Sequence, residues 1–202
     1  MSALRHVSVV LSSAMLVACS NVPPADLSAI AFTAVDVPRI AATSLTVTLA
    51  PDAVTRRSCG SGSFNYQIAY ALDEVDRRCL QSVCAATFIE ARCHQPPLAG
   101  SPELRLVSFT HLLLAHSPGT LPDVTDEVTA RWVLLDATGA EVKRFVFVGA
   151  RSGSTHGGLT QAQFDRAQAR AAMAFDDLHR KTVVGLSAST DLVRIAGQAP
   201  AR

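Results

Sequence analysis

The chain has 202 residues, a length that suits one domain with a sizeable core. Eighteen Lys and Arg face 17 Asp and Glu, a net charge of +1, which argues against nucleic-acid binding by phosphate neutralisation. Aromatic residues make up 5%, too few for the stacking platforms that hold single strands.

MSALRH opens the chain with Arg5 and no acid, and residues 7–18, VSVVLSSAMLVA, carry no charge. A short basic start, an apolar run of about 7–15 residues and small residues at its end describe a secretory signal peptide. The run is too short to span a membrane, which takes about 20 apolar residues. Its ending, Leu16-Val17-Ala18-Cys19, resembles the lipobox of bacterial lipoproteins. The resemblance implies cleavage after residue 18, palmitate-type acylation of Cys19, and a membrane anchor of three acyl chains contributing about 0.8 kcal/mol per buried CH2. Ser20, where lipoproteins kept in the inner membrane often carry Asp, points by the same resemblance to the outer membrane.

Residues 19–43 then read as a lipidated N-terminus and tether, with three of the ten prolines. Residues 44–196 read as a single periplasmic domain, and 197–202 as a tail. Ser44–Leu49 alternates and is β-branched, the pattern of a strand. Ile68, Leu72, Val75, Cys79 and Val83 recur at helical spacing, predicting a helix over 64–82. Short and long strands are predicted over 85–93 and 103–115, and a hairpin over 127–136 and 141–149 turns at Asp136–Gly139. A closing helix over 161–188 starts at a Thr160/Gln163 capping box and turns inward Phe164, Ala167, Ala171, Ala174, Phe175, Leu178 and Thr182. The order β-α-β-β-β-α predicts an α+β domain: a mostly antiparallel sheet with two helices on one face, stapled by disulfides.

Four cysteines remain if Cys19 carries lipid: Cys59, Cys79, Cys84 and Cys93. An even number in an oxidising compartment suggests two disulfides, with three possible pairings. A helix over 64–82 would hold Cys79 more than about 20 Å from its start, next to Cys59. That ranks Cys59–Cys93 with Cys79–Cys84 first. A zinc site from Cys79, Cys84, Cys93 and His94 lacks the usual knuckle spacing, so no metal and no cofactor are expected.

Nucleophile-elbow, zincin and β-lactamase motifs are absent. The Ser152–His156 loop, where Ser154 and His156 could pair as nucleophile and base, supports a hydrolase reading. The plainer reading is a strand-to-helix connection that needs small residues. His111 and His116, five apart on a strand, fall on opposite faces and read as solvated or strand-end histidines. In the hairpin, Val133, Leu135, Val146 and Val148 point away from Trp132, Leu134, Phe145 and Phe147, so both faces are apolar although helices should cover one. Such a face marks a protein or lipid partner. Residues 29–40 of the tether lying across it is the alternative.

Lipobox, tether, strand–helix, the antiparallel run containing WVLLDATGAEV and a closing helix together resemble envelope-assembly and transport-auxiliary lipoproteins. That resemblance implies a non-enzymatic accessory that binds an envelope protein or lipid. A periplasmic hydrolase, or a membrane-held module for a small ligand or inhibitor, are the other expectations.

Overall fold

The computed structural model describes residues 30–50, 54–61, 64–71, 74–93, 95–115, 123–154 and 161–197. The lipobox, residues 19–29, His94, His116 and His156 lie outside them.

Strand β7 (Glu103–Ala115) is the axis of the sheet. On one side β8 (Asp123–Leu135) and then β9 (Glu141–Ser154) add antiparallel. On the other, two shorter strands share its length. β2 (Thr46–Leu49) runs parallel to Glu103–Leu106, and β3 (Val54–Ser61) runs parallel to Phe109–Ala115. The gap between them lies level with an irregularity in β7, where the register against β8 shifts between Leu106 and Ser108. Beyond β2 lies β6 (Arg92–Cys93), parallel, and beyond β3 lies β4 (Phe64–Ala71), antiparallel. A separate two-strand pair joins β1 (Ile40–Ala41) to β5 (Phe88–Ile89). The fold is α+β as expected, with the long pairings β3–β4, β7–β8 and β8–β9 antiparallel; the sheet is mixed rather than purely antiparallel, because β2 and β3 both meet β7 in parallel.

Three helices, not two, are seen among the described residues: α1 (Glu74–Thr87), α2 (Gln161–Ser187) and α3 (Thr190–Ala196). Helix α1 buries Cys79, Leu80, Val83, Cys84 and Thr87, a stripe at spacings of one, three and four. Helix α2 buries Ala171, Ala174, Phe175, Leu178, Thr182, Val183 and Leu186, extending the predicted stripe by a turn. These helices pack on Leu104, Leu106, Phe109, Val128, Ala130, Trp132, Leu134 and Phe145 of the sheet. Each fully buried aliphatic or aromatic side chain contributes about 1.5–3 kcal/mol. Helix α3, beyond the predicted end of the closing helix, is capped by Ser189, whose hydroxyl accepts from Leu192 N at 3.3 Å.

Helix α2 lies close on β9 at a glycine. A Cβ on Gly149 would fall within contact of the Ala174 carbonyl and the Leu178 amide, with Leu178 Cα 2.7 Å away. Gly185 of the same helix meets the Phe147 ring in the same way, Cζ at 2.9 Å. The approach needs a missing side chain on both elements.

The helix predicted over 64–82 is corrected. Residues 54–71 form the β3–β4 hairpin and the helix begins only at Glu74. The sequence carried a competing signal, since Phe64, Tyr66, Ile68 and Tyr70 alternate with period two. The disulfides change with it. Cys84, near the end of α1, joins Cys93 in β6 across a Cα–Cα distance of 6.4 Å. The Cys59–Cys93 and Cys79–Cys84 pairings are therefore excluded. Cys79 lies buried in the core, and Cys59 sits in β3, opposite Tyr66 and Leu113. The expected strand over 85–93 is instead the end of α1 followed by β5 and β6, linked through Glu90 at φ 66°.

Residues 30–43, assigned above to the tether, are packed. Ile30, Ile40 and Ala42 are buried, and Phe32, Val35 and Val37 lean on the core. This strap lies along α1 and α2: Thr33 donates N–H and Oγ1 to the Asp176 carboxylate at 2.6 and 2.9 Å, and Arg78 donates to the Ile30 carbonyl at 3.2 Å.

Candidate functional site

The sheet has one covered face and one open face. Alternation along β8 and β9 turns Trp132, Leu134 and Phe145 to the helices, and Val133, Leu135, Val146 and Val148 the other way. Val146 is 53% exposed and Val148 37%, while Val133 and Leu135 are half-buried. Val107, at the β7 irregularity, adds a further valine at 40% exposure. The strap, the expected alternative cover for this face, lies on the helices instead.

Charged groups cross the valine rows. Arg131 pairs in register with Val146 and Arg144 with Val133. Arg144 donates to Glu141 at 2.7 and 2.8 Å. Glu103 is buried beside β2, where it accepts from Thr48 and from Arg105 at 2.7 and 2.9 Å. Burial pushes its carboxyl up, but the bonds from Arg105 and Thr48 outweigh that and hold it below the usual range. Leu135 lies farther along, in a cleft of about 360 Å³ between residues 97–101 and the Asp136–Gly139 turn. Asp136 is engaged by that turn, accepting from Thr138 N and Oγ1 and Ala140 N, which lowers its carboxyl; Gly139 takes φ 84° there.

The edge of the sheet beside this face is covered in part. β9 pairs only with β8 among the described strands, and a strand of 14 residues with a free edge invites strand addition. Two side chains of α2 engage it at Val148 and Ala150. Lys181 donates to the Val148 carbonyl at 3.0 Å, and Asp177 accepts from the Ala150 amide at 3.1 Å. The two side chains also pair with each other at 2.7 Å. Burial raises the Asp177 carboxyl, but Lys181 and the Ala150 amide lower it further, so the net shift is downward.

On the covered face lies a polar cluster that sequence reading missed. His111 Nε2 meets Asp126 at 3.0 Å, Arg170 pairs with the same carboxylate, and the His111 ring packs edge-on against Phe175 at 5.7 Å. His111 is no solvated histidine: its side chain is mostly buried. Alternation counted from Leu104 and Leu106 sends His111 outward. The β7 irregularity reverses the parity, so Phe109 and His111 turn in. A second pair, Ser82 Oγ and His179 Nε2, stands at 3.0 Å between α1 and α2. It lacks an orienting acid, because the buried His179 Nδ1 has no hydrogen-bond partner among the described residues. The Ser152 hydroxyl is held by Thr125 at 2.7 Å on the open face, while the Ser154 side chain and His156 fall outside what is described. No group of three His, Cys, Asp or Glu side chains suited to a metal occurs among the described residues. No described helix is long and apolar enough to cross a membrane.

No family model and no curated protein matches the chain. Among solved structures, the fold is similar to that of a minor lipoprotein from Acinetobacter baumannii, at 14% identity and a TM-score of 0.51, over 75% of this chain and 94% of that one. A Xanthomonas campestris protein of the DUF330 group matches at 16% identity and a TM-score of 0.43, over 81% and 92%.

Proposed function

We propose that the chain is an outer-membrane lipoprotein, acylated at Cys19, whose envelope-facing domain binds a protein partner through the open sheet face. It serves envelope assembly or lipid transport without catalysis. The observation that carries the binding role is the face itself: Val107, Val146 and Val148 are exposed and Val133 half-buried, while the described helices and strap lie on the opposite side. Apolar rows crossed by Arg131, Arg144 and Arg105 suit the mixed surface of a protein interface better than an acyl chain, which favours a continuous apolar trough. The engagement of the β9 edge by Lys181 and Asp177 favours the face over the edge as the contact.

The lipobox supports the anchor, and the disulfide between Cys84 and Cys93 suits an oxidising envelope. Ile30 follows Cys19 by eleven residues, so a chain fixed at both points reaches at most about 40 Å. Anchored from the helical side, the domain can hold its open face away from the bilayer. The test is acyl labelling in intact cells combined with chemical crosslinking and mass spectrometry. Labelling lost in Cys19→Ala and one stoichiometric envelope protein captured are the expected results. An unlipidated mature protein would overturn the anchor, and absence of a reproducible protein partner would overturn the binding role.

A further inference from the structure

The strap of residues 30–37 is joined to the helices by a small set of contacts, and one of them can titrate. Phe32 lies over the His179 ring with centroids 4.9 Å apart, and His179 is 2% exposed. Its Nε2 is engaged by Ser82, and its Nδ1 is buried without an acceptor among the described residues. A neutral imidazole fits this pocket, because one nitrogen can stay bare. An imidazolium carries N–H on both nitrogens, and one of them would be stranded. On α2 the charged groups facing this joint are Asp176 and its neighbour Arg180; on α1 the charged group is Arg78, beside the neutral Ser82 hydroxyl. The strap brings no charge between Ile30 and Val35. Asp176 favours the imidazolium, but its carboxylate also accepts from Thr33 and lies beside Arg180. Burial dominates and holds His179 below its ordinary value.

We propose that the strap is a proton-released latch: docked on α1 and α2 while His179 is neutral, and let go as His179 is protonated. The opened strap exposes the imidazole, which then titrates near its ordinary value of about 6.5. The docked state has the lower pKa, so the open state binds more protons. Docking is fully favoured above about pH 6.5 and weakens as pH falls toward the docked-state value. In that window the opening constant rises by up to about tenfold per pH unit. On the proposed Cys19 anchor, release would lengthen the tether from eleven residues to more than twenty and free the domain to move from the bilayer. The latch itself does not depend on lipidation, so the two readings fail separately.

The experiment is hydrogen exchange on the full-length mature protein from pH 7.5 to 5.5, corrected for intrinsic rates. The amides of residues 31–42 should lose protection over this range while those of β7 and β8 stay constant. His179→Phe keeps an aromatic partner for Phe32 but cannot titrate, and should make strap protection independent of pH. Phe32→Ala should leave the strap open at every pH with the sheet intact, which shows that opening is read without unfolding. Strap protection that is flat with pH in the unaltered protein would overturn the latch. So would a pH dependence that survives in His179→Phe.

Discussion

The two faces of the sheet are built from the same strands and differ in what lies on them. Leu134 and Val133 are adjacent, as are Phe145 and Val146, yet one of each pair is sealed by helices and the other meets solvent. On the covered face, valine-sized errors are costly because the helix backbone touches the sheet directly at Gly149. The open face carries fewer apolar side chains, interleaved with Arg105, Arg131 and Arg144, and no layer lies on it among the described residues. Stability therefore lives on one side of the strands, and the proposed recognition on the other. The Asp177–Lys181 pair marks the border, belonging to the helix layer while shielding the strand edge.

The sharpest way to break this contrast is the same substitution on each side. Leu134→Asp puts an unpaired carboxylate into a fully buried position and should cost about 4 kcal/mol or more, enough to abolish the folded state in a denaturant titration. Val146→Asp on the open face should stay within about 0.5 kcal/mol of the parent and lose partner capture. Gly149→Ala should cost about 3 kcal/mol, since its Cβ meets helix backbone that cannot turn aside. Gly185→Ala should cost less, because its neighbour is the Phe147 ring, which can rotate. Melting curves of the pair rank them.

Reducing the Cys84–Cys93 bond, which closes a loop of sequence separation 9, should cost about 2–3 kcal/mol. The loss should concentrate in α1 and β6. Hydrogen exchange that loosens β8 and β9 equally would mean that the two sides are not separable. Among the substitutions that remove a native contact, the smallest stability effect is expected at the border. Asp177→Ala should cost about 1 kcal/mol and, by unplugging the Ala150 amide, promote self-association through β9, visible by sedimentation. The folded Asp177 carboxyl is lowered, so the unfolded state binds the extra proton. Its contribution is present above about pH 3.9 and is lost as pH falls below that through the folded value.

Much of the architecture was legible. The strand at 103–115, the hairpin around Asp136–Gly139 and the closing helix follow from periodicity that local and tertiary forces share. The parity of Val133 and Val146 followed with it. Three things were hidden. The β3–β4 hairpin lost to a helical reading because its alternation and the stripe running into α1 share Ile68, so one residue served two periods. The disulfide followed that error, since placing the helix start too early moved Cys79 and Cys84 in space. The His111–Asp126–Arg170 cluster was invisible because a single irregularity in β7 reverses which residues face inward, and sequence alternation does not show where a strand slips.

The most direct test of the account is site-specific photo-crosslinking in living cells, with the photoreactive residue placed at Val146 or at Val184. Both positions are about half exposed, one on the open face and one on the helical layer. One discrete crosslinked envelope protein is expected from position 146 and none from position 184. The same product from position 184, with position 146 silent, would contradict it and move recognition to the helices.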